Sequence, residues 1–214
     1  MFKALGLPEL AIVNADTETN VEVARARAEK LINDGAQLLV GAFDSGQSAA
    51  IAQVAEQKGI PFVINIAAAP QITEQGYKFV VRNFPTAPML ITGALALHKD
   101  IFKASGQTPK TAVLMSVNDT FGTSMINGIK ALFPKLDMPY EIVDTISYDP
   151  AAKDLSVEVG KAKATKADML MPVSRLNDAK LIVQEMVKQR WEPMGVMNPG
   201  APGLYEQDFL KTKS

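Results

Sequence analysis

Short apolar runs alternate with segments of helical period along most of this chain, and no other feature restricts the fold as strongly. The first three apolar runs are residues 10–13, 38–43 and 62–64, and a segment of helical spacing follows each of the first two. Short buried strands separated by helices are typical of βαβ units that build a parallel sheet. The pattern therefore predicts an α/β fold.

The alternation stops at residues 84–88, where two prolines interrupt it, and then starts again. A helix is expected next, over residues 90–102. Further strands are predicted at 112–117, 142–146, 169–171 and 195–197, with helices at 122–132, 155–164 and 178–190. We therefore predict two Rossmann-like lobes, each a parallel sheet flanked by helices, with residues 1–84 in the first lobe and 85–214 in the second.

Composition narrows the classes of partner. The 22 Lys and Arg residues nearly balance the 23 Asp and Glu residues, and neither sign forms a long run. We therefore expect no nucleic-acid partner. No apolar stretch approaches the roughly 20 residues of a membrane helix, so the chain is not expected to be membrane-inserted. The absence of cysteine excludes disulfides, thiolate metal sites and a cysteine nucleophile.

Residue types that carry catalysis are not grouped in the sequence. The single histidine, His98, lies on a predicted helix among apolar residues, and we expect its ring at the surface or hydrogen-bonded to a carbonyl. Phe43 and Gln47 stand where the nucleophile elbow of a hydrolase needs glycines around Ser45. We expect no catalytic residues, although an α/β hydrolase-type enzyme remains an alternative.

Cofactor and metal sites lack their usual signals as well. Neither of the glycine-rich motifs that bind dinucleotides or triphosphates is present. Four aspartates stand singly in separate predicted loops, as is typical of turns and helix caps: Asp16, Asp44, Asp119 and Asp149. We expect neither a cofactor nor a metal ion.

The strand ends give the first positive indication of a site. Ligands of open parallel sheets bind beyond the carboxyl ends of the strands. Ser45 follows the second apolar run, and the small-residue loop with Ala67 and Ala68 follows the third. We expect these two loops to lie side by side and to form a binding site.

Five segments carry a resemblance to a known family. In order they are DTETN at 16–20, GAFDS at 41–45, KGIPF at 58–62, PQITEQGY at 70–77 and NDTFG at 118–122. Together, in this order and spacing, they resemble the type I periplasmic solute-binding proteins of branched-chain amino acid ABC importers. The resemblance implies two hinged lobes that close on one small ligand and deliver it to a membrane permease, and it implies a periplasmic location.

The resemblance also implies roles for individual residues. Ser45 corresponds to a hydroxyl that contacts the ligand carboxylate, with Ile66, Ala67 and Ala68 forming the neighbouring loop that offers backbone groups. Phe121 corresponds to an aromatic side chain over the ligand. Arg175 departs from the family, because it stands near the position of another aromatic contact. Its guanidinium is suited to bind a carboxylate bidentately, and the alternative is a solvated loop arginine.

Amino-acid binders of the family place an acid after a later strand to hold the ligand ammonium, but residues 198–202 here read NPGAP. We therefore expect a carboxylate ligand without an α-amine, such as an aromatic, aliphatic or keto acid, although a branched-chain amino acid remains open. The alternative to transport is a ligand-sensing domain of a receptor or regulator.

The resemblance is incomplete at both ends, because the family has a further βα unit before residue 1 and strands after residue 214 that return to the first lobe. We therefore expect a truncated chain whose first lobe lacks its first βα unit. Exposed apolar surface and self-association follow from that expectation.

Overall fold

The computed structural model describes residue 6 and residues 9–205 and 207–211. Its first lobe contains three strands, β1 (Leu39–Gly41), β2 (Phe62–Ile64) and β3 (Val80–Arg82), with helices α1 (Val21–Asn33) and α2 (Ser45–Lys58) and a short 3-10 helix (Pro70–Ile72) between them. The strands are parallel and lie in the order β1-β2-β3. Gly59 ends α2 in the left-handed conformation, for which glycine has no steric penalty.

The second lobe is built in the same way around a larger sheet. Its strands are β4 (Thr111–Val117), β5 (Glu141–Tyr148), β6 (Met169–Val173) and β7 (Gly195–Val196), in the order β5-β4-β6-β7 and all parallel. The helices are α3 (Ala87–Ser105), α4 (Thr120–Leu132), α5 (Ser156–Ala164), α6 (Leu176–Lys188) and α7 (Gln207–Leu210), with a 3-10 helix at Phe133–Leu136. None of the described helices is long and apolar enough to cross a membrane.

Each lobe has its own hydrophobic core. In the first lobe, α1 and α2 pack Ala24, Ala28 and Val54 against Phe62 and Ile64 of the sheet. In the second lobe, all five residues of β6 are buried, as expected for a central strand of a parallel sheet with helices on both faces. The predicted α/β fold with two parallel sheets is confirmed.

One predicted strand is wrong. Residues 10–13 form no strand, and Leu10, Ile12 and Val13 are largely exposed, Ile12 by 80%. A strand requires hydrogen bonding to a neighbour, and these residues pair with no strand of the described sheet. β1 is the edge of that sheet, and its Val40 is 65% exposed. Apolar surface is therefore exposed beside β1, as expected, and self-association stays a prediction.

The chain passes from the first sheet to the second between β3 and α3, with Pro85 in the connection and Pro88 in the first turn of α3. The N–H of Ala87, the first residue of α3, donates a 2.7 Å hydrogen bond to Ala68 O. The two lobes also meet where the side chain of Gln71, in the first 3-10 helix, bonds to that of Ser124 in α4 at 3.1 to 3.2 Å. The lobes are thus in direct contact, and the boundary at residue 84 stays a prediction.

Gly122 fixes how closely α4 approaches β4. A Cβ atom at this position would lie 1.7 Å from the Val117 carbonyl oxygen, which belongs to the strand backbone. The helix therefore begins against the end of the strand only because residue 122 has no side chain. This close approach positions Asp119 and Phe121 at the carboxyl end of β4.

Gly122→Ala is expected to destabilise the protein, although alanine normally favours a helix interior. The methyl group must displace the α4 backbone from Val117, at a cost of roughly 1–3 kcal/mol. The matched control is Gly93→Ala in α3, where a Cβ atom meets nothing within 4 Å, and a gain of up to about 1 kcal/mol is expected. Chemical denaturation of both variants checks this, and equal stabilisation by both would contradict it.

His98 is buried, so the expected surface position of its ring is wrong, whereas the expected bond to a carbonyl is confirmed. Nε2 lies 3.1 Å from Asn198 O, and Nδ1 lies 3.1 Å from the Tyr140 hydroxyl. A carbonyl only accepts, so Nε2 donates to Asn198 O and Nδ1 accepts from Tyr140. The neutral ring is thus satisfied on both sides, and burial lowers the pKa of His98.

This burial predicts a loss of stability in mild acid. The unfolded chain protonates His98 near pH 6.5, whereas the folded chain does so only at lower pH. The contribution of neutral His98 to stability is fully present above the unfolded pKa and is lost as the pH falls toward the folded pKa. Between about pH 7 and pH 5, the free energy of unfolding should fall more steeply for the wild type than for His98→Gln. Parallel curves in urea titrations would refute this expectation.

Candidate functional site

A cavity of about 430 Å³ lies between the two lobes, at the carboxyl ends of both sheets. This volume is within the usual range for small-molecule sites. The residues that line the cavity come from both lobes: Phe43, Asp44, Ser45, Ile66, Ala68 and Phe84 from the first, and Leu90, Ala94, Phe121, Arg175, Asn198, Gly200, Ala201, Pro202 and Tyr205 from the second. Five of the six predicted site residues are among them.

Ser45 and the small-residue loop are adjacent, as predicted. Ser45 is the first residue of α2 and is fully buried, and its Oγ accepts a 3.3 Å hydrogen bond from the Ala69 N–H. β1 and β2 are neighbouring parallel strands, so the loops that follow them meet at one sheet edge. Ile66 and Ala68 line the cavity. Ala67, the sixth predicted residue, is not among the lining residues.

Arg82 holds this loop in place, a role that was not predicted from the sequence. Its guanidinium donates to the carbonyl oxygens of Ala67 and Ala69, the latter at 2.7 Å. Burial lowers the pKa of Arg82, and the nearby Glu74 carboxylate opposes that effect. The one signal in the sequence is a charged residue at the end of the run 79–82. Because Arg82 binds the carbonyls that flank Ala68, it determines how the loop faces the cavity.

The first turn of α2 is open to an anion. Asp44 occupies the N-cap position, but its side chain makes no capping hydrogen bond to the helix backbone. The first N–H groups of a helix carry partial positive charge and have no partner within the helix. Ser45 therefore stands at an uncapped helix N-terminus that borders the cavity.

Arg175 lies in the wall of the cavity, so the alternative of a solvated loop arginine is wrong. It follows β6 at the N-cap of α6, and its side chain is only 21% exposed. Its Nη2 lies 2.8 Å from Asp119 Oδ2 and also pairs directly with Asp44 Oδ1. The guanidinium carbon stands 5.1 Å from the centroid of the Phe121 ring, within the range of a cation–π interaction.

The role of Asp44, like that of Arg82, was not predicted from the sequence. It was expected to be an ordinary turn acid, but it meets Arg175 from the opposite lobe. Asp119 both caps α4, accepting from the Gly122 N–H at 2.9 Å, and pairs with Arg175. By contrast, Asp16 and Asp149 accept hydrogen bonds from backbone N–H groups two residues ahead, as expected of turn residues.

The segment 198–202 lines the cavity without supplying an acid. Asn198 Oδ1 accepts a 2.7 Å hydrogen bond from the Gly200 N–H and another from the Ala201 N–H, which closes a tight turn. Asp44 is the only carboxylate among the described lining residues, and Arg175 pairs with it. Most of the remaining lining is apolar, including Phe43, Phe84 and Phe121.

The arrangement lacks the geometry of nucleophilic catalysis. The Ser45 hydroxyl is bonded to a backbone N–H, whereas His98 is bonded to Tyr140 and Asn198. Within the described part of the chain, no three acidic or histidine side chains are grouped as metal ligands. The cavity is therefore shaped to hold a small molecule, with an anion-receptive end near Ser45 and aromatic walls.

Comparison with known proteins gives one family. The family model described as periplasmic binding protein matches residues 4–213. A Leu/Ile/Val-binding protein homolog of Brucella abortus is 25% identical over 181 residues, which are 83% of this chain and 44% of that protein. The chain thus spans about half the length of the curated relatives it matches.

Solved structures of the same architecture superpose on this fold. A leucine-binding protein from Thermotoga maritima has a TM-score of 0.75 at 22% identity and covers 88% of this chain and 52% of its own. A solute-binding protein of an ABC transporter from Rhodopseudomonas palustris, in complex with benzoate, has a TM-score of 0.75 at 21% identity and covers 91% and 53%. The family match over residues 4–213, together with two parallel-sheet lobes that enclose a cavity, shows that this chain belongs to the periplasmic binding protein family.

Proposed function

We propose that this chain is the ligand-capturing part of the substrate-binding component of an ABC importer, and that its ligand is a small aromatic carboxylate. The observation that carries the proposal is the composition of the cavity, in which aromatic walls accompany an uncapped helix N-terminus and a buried hydroxyl. Such a surface suits a flat apolar body with one anionic end.

Neutral donors would hold the carboxylate. The Ser45 hydroxyl accepts from the Ala69 N–H, so its own proton is free to be donated to a ligand oxygen. The first N–H groups of α2 add donors with the favourable end of the helix dipole. Ile66 and Ala68 place backbone groups of the neighbouring loop against the same region. These neutral donors can hold a carboxylate without a cationic side chain.

The second lobe would cover the body of the ligand. Phe121 lines the cavity from the second lobe, and Phe43 and Phe84 line it from the first, so closure of the lobes would enclose a ring among aromatic side chains. Aromatic pairs of this kind add about 0.5–1.5 kcal/mol to the burial of apolar area. The side chain of Arg175 borders the same space, and its buried Nε has no hydrogen-bond partner among the residues that the structure describes. This N–H is a further donor for the ligand.

The relatives support both the role and the choice of ligand. One structural neighbour binds benzoate, and another is a leucine-binding protein. The described lining residues offer no unpaired carboxylate for an α-amine, which favours the aromatic acid over the amino acid. In this proposal the protein acts in the periplasm, releases its ligand to a membrane permease and performs no reaction.

Calorimetric titration should show benzoate binding at least about tenfold more tightly than leucine, a difference of roughly 1.4 kcal/mol. The reason is that the ammonium of leucine finds no free acid among the described residues of the cavity. The same two ligands should raise the melting temperature in the same order, since only the folded state binds them. Tighter binding of leucine than of benzoate would overturn the proposed ligand class.

Ser45→Ala should weaken benzoate binding by about tenfold, because a hydrogen bond to a charged group contributes roughly 1.5–3 kcal/mol and solvent restores part of the loss. Ser105→Ala is the matched control, since the Ser105 hydroxyl bonds only to nearby backbone at the end of α3. That variant should bind as the wild type does. Equal affinities of all three proteins for benzoate would show that Ser45 does not contact the carboxylate.

A further inference from the structure

Arg175 joins two acids that come from opposite lobes. Asp44 ends the loop after β1 in the first lobe, and Asp119 precedes α4 in the second. One guanidinium nitrogen, Nη2, contacts both carboxylates, and the three side chains are between 18% and 26% exposed. Partly buried charges are screened little by water and salt, so the pairing has a larger effect here than on a surface.

This cluster stands between the cavity and a second groove. Asp44 and Arg175 line the cavity, and the same two residues line this groove, together with Asp119, Lys153 and Lys180. The pair is therefore a partition between the cavity and the groove. A ligand inside the cavity lies next to the charges of this partition.

The two carboxylates require a cation. Without Arg175, Asp44 and Asp119 would face each other across the cleft as like charges, which opposes lobe closure. Burial on its own would lower the pKa of Arg175, but the two aspartates outweigh that effect and the pKa is raised. Arg175 therefore stays charged, and its positive charge pairs with both acids without a cation from the ligand.

We propose that Arg175 is a specificity-determining residue, whose guanidinium occupies the place between Asp44 and Asp119 that a ligand ammonium would otherwise take. The inference rests on the proposed function and deepens it. An amino acid would bring a second cation to acids that are already paired, and its ammonium would be desolvated beside a guanidinium. A carboxylate without an amine avoids both costs.

The test uses two probes that differ only in the amine: 3-phenylpropionate and L-phenylalanine. Calorimetry gives the ratio of their affinities for the wild type, Arg175→Met and Arg175→Lys. The wild type should prefer 3-phenylpropionate. Arg175→Met should shift the ratio toward phenylalanine by about 100-fold, since Asp44 is then free to bind the ammonium. Arg175→Lys keeps the cation and should keep the wild-type preference.

The double variant Asp44→Asn/Arg175→Met is the decisive control, because it removes the cation and the acid that faces the cavity. It should lose the gain for phenylalanine that Arg175→Met shows. Each result is the ratio of two affinities measured on the same variant, so a general loss of affinity or stability does not change it. Circular dichroism checks that each variant is folded.

The outcomes separate this inference from the proposed function. If the wild type binds 3-phenylpropionate but Arg175→Met leaves the ratio unchanged, Arg175 does not determine specificity while the proposed function stands. If the wild type prefers phenylalanine, the inference is overturned directly. If it binds neither probe nor benzoate, the proposed function fails, and the inference that rests on it fails too.

Discussion

Every strand in both sheets runs parallel to its neighbours, and this constraint determines where the chain can place a site. A parallel sheet requires a crossover connection, usually a helix, to return the chain, so each strand ends at the same edge as the next. In this molecule those edges face each other across the cleft. The loops that begin α2, α4 and α6 therefore bring Ser45, Phe121 and Arg175 to one cavity, although 130 residues separate the first from the last.

The features that follow from local chemistry could be predicted from the sequence. Strand and helix periods identified the two sheets, and the rule for strand ends correctly brought Ser45 to the loop at Ala68. Residues 10–13 show the limit of that reasoning. Their apolar pattern is that of a strand, but a strand exists only where a partner offers hydrogen bonds, and a sequence pattern does not reveal which edge is occupied.

The electrostatics of the site could not be predicted in the same way. Asp44, Asp119 and Arg175 are far apart in sequence, and each alone resembles a common loop residue. Their meeting depends on how α2 and α4 approach each other across the cleft, with Gly46 at the start of α2 next to Thr120 of α4. Arg82 was missed for the same reason, because its partners are backbone carbonyls of a loop that carries no charge.

Arg82 and Arg175 shape the cavity in different ways. Arg82 binds only within the first lobe and fixes the loop that offers neutral donors. Arg175 binds across the cleft, so the contact that sets the charge of the cavity wall also holds the lobes together. A ligand carboxylate that drew Nη2 away from Asp44 would weaken that closure. In the proposed function, neutral donors at Ser45 and α2 avoid the conflict, because they would bind the anion without competing for the ion pair between the lobes.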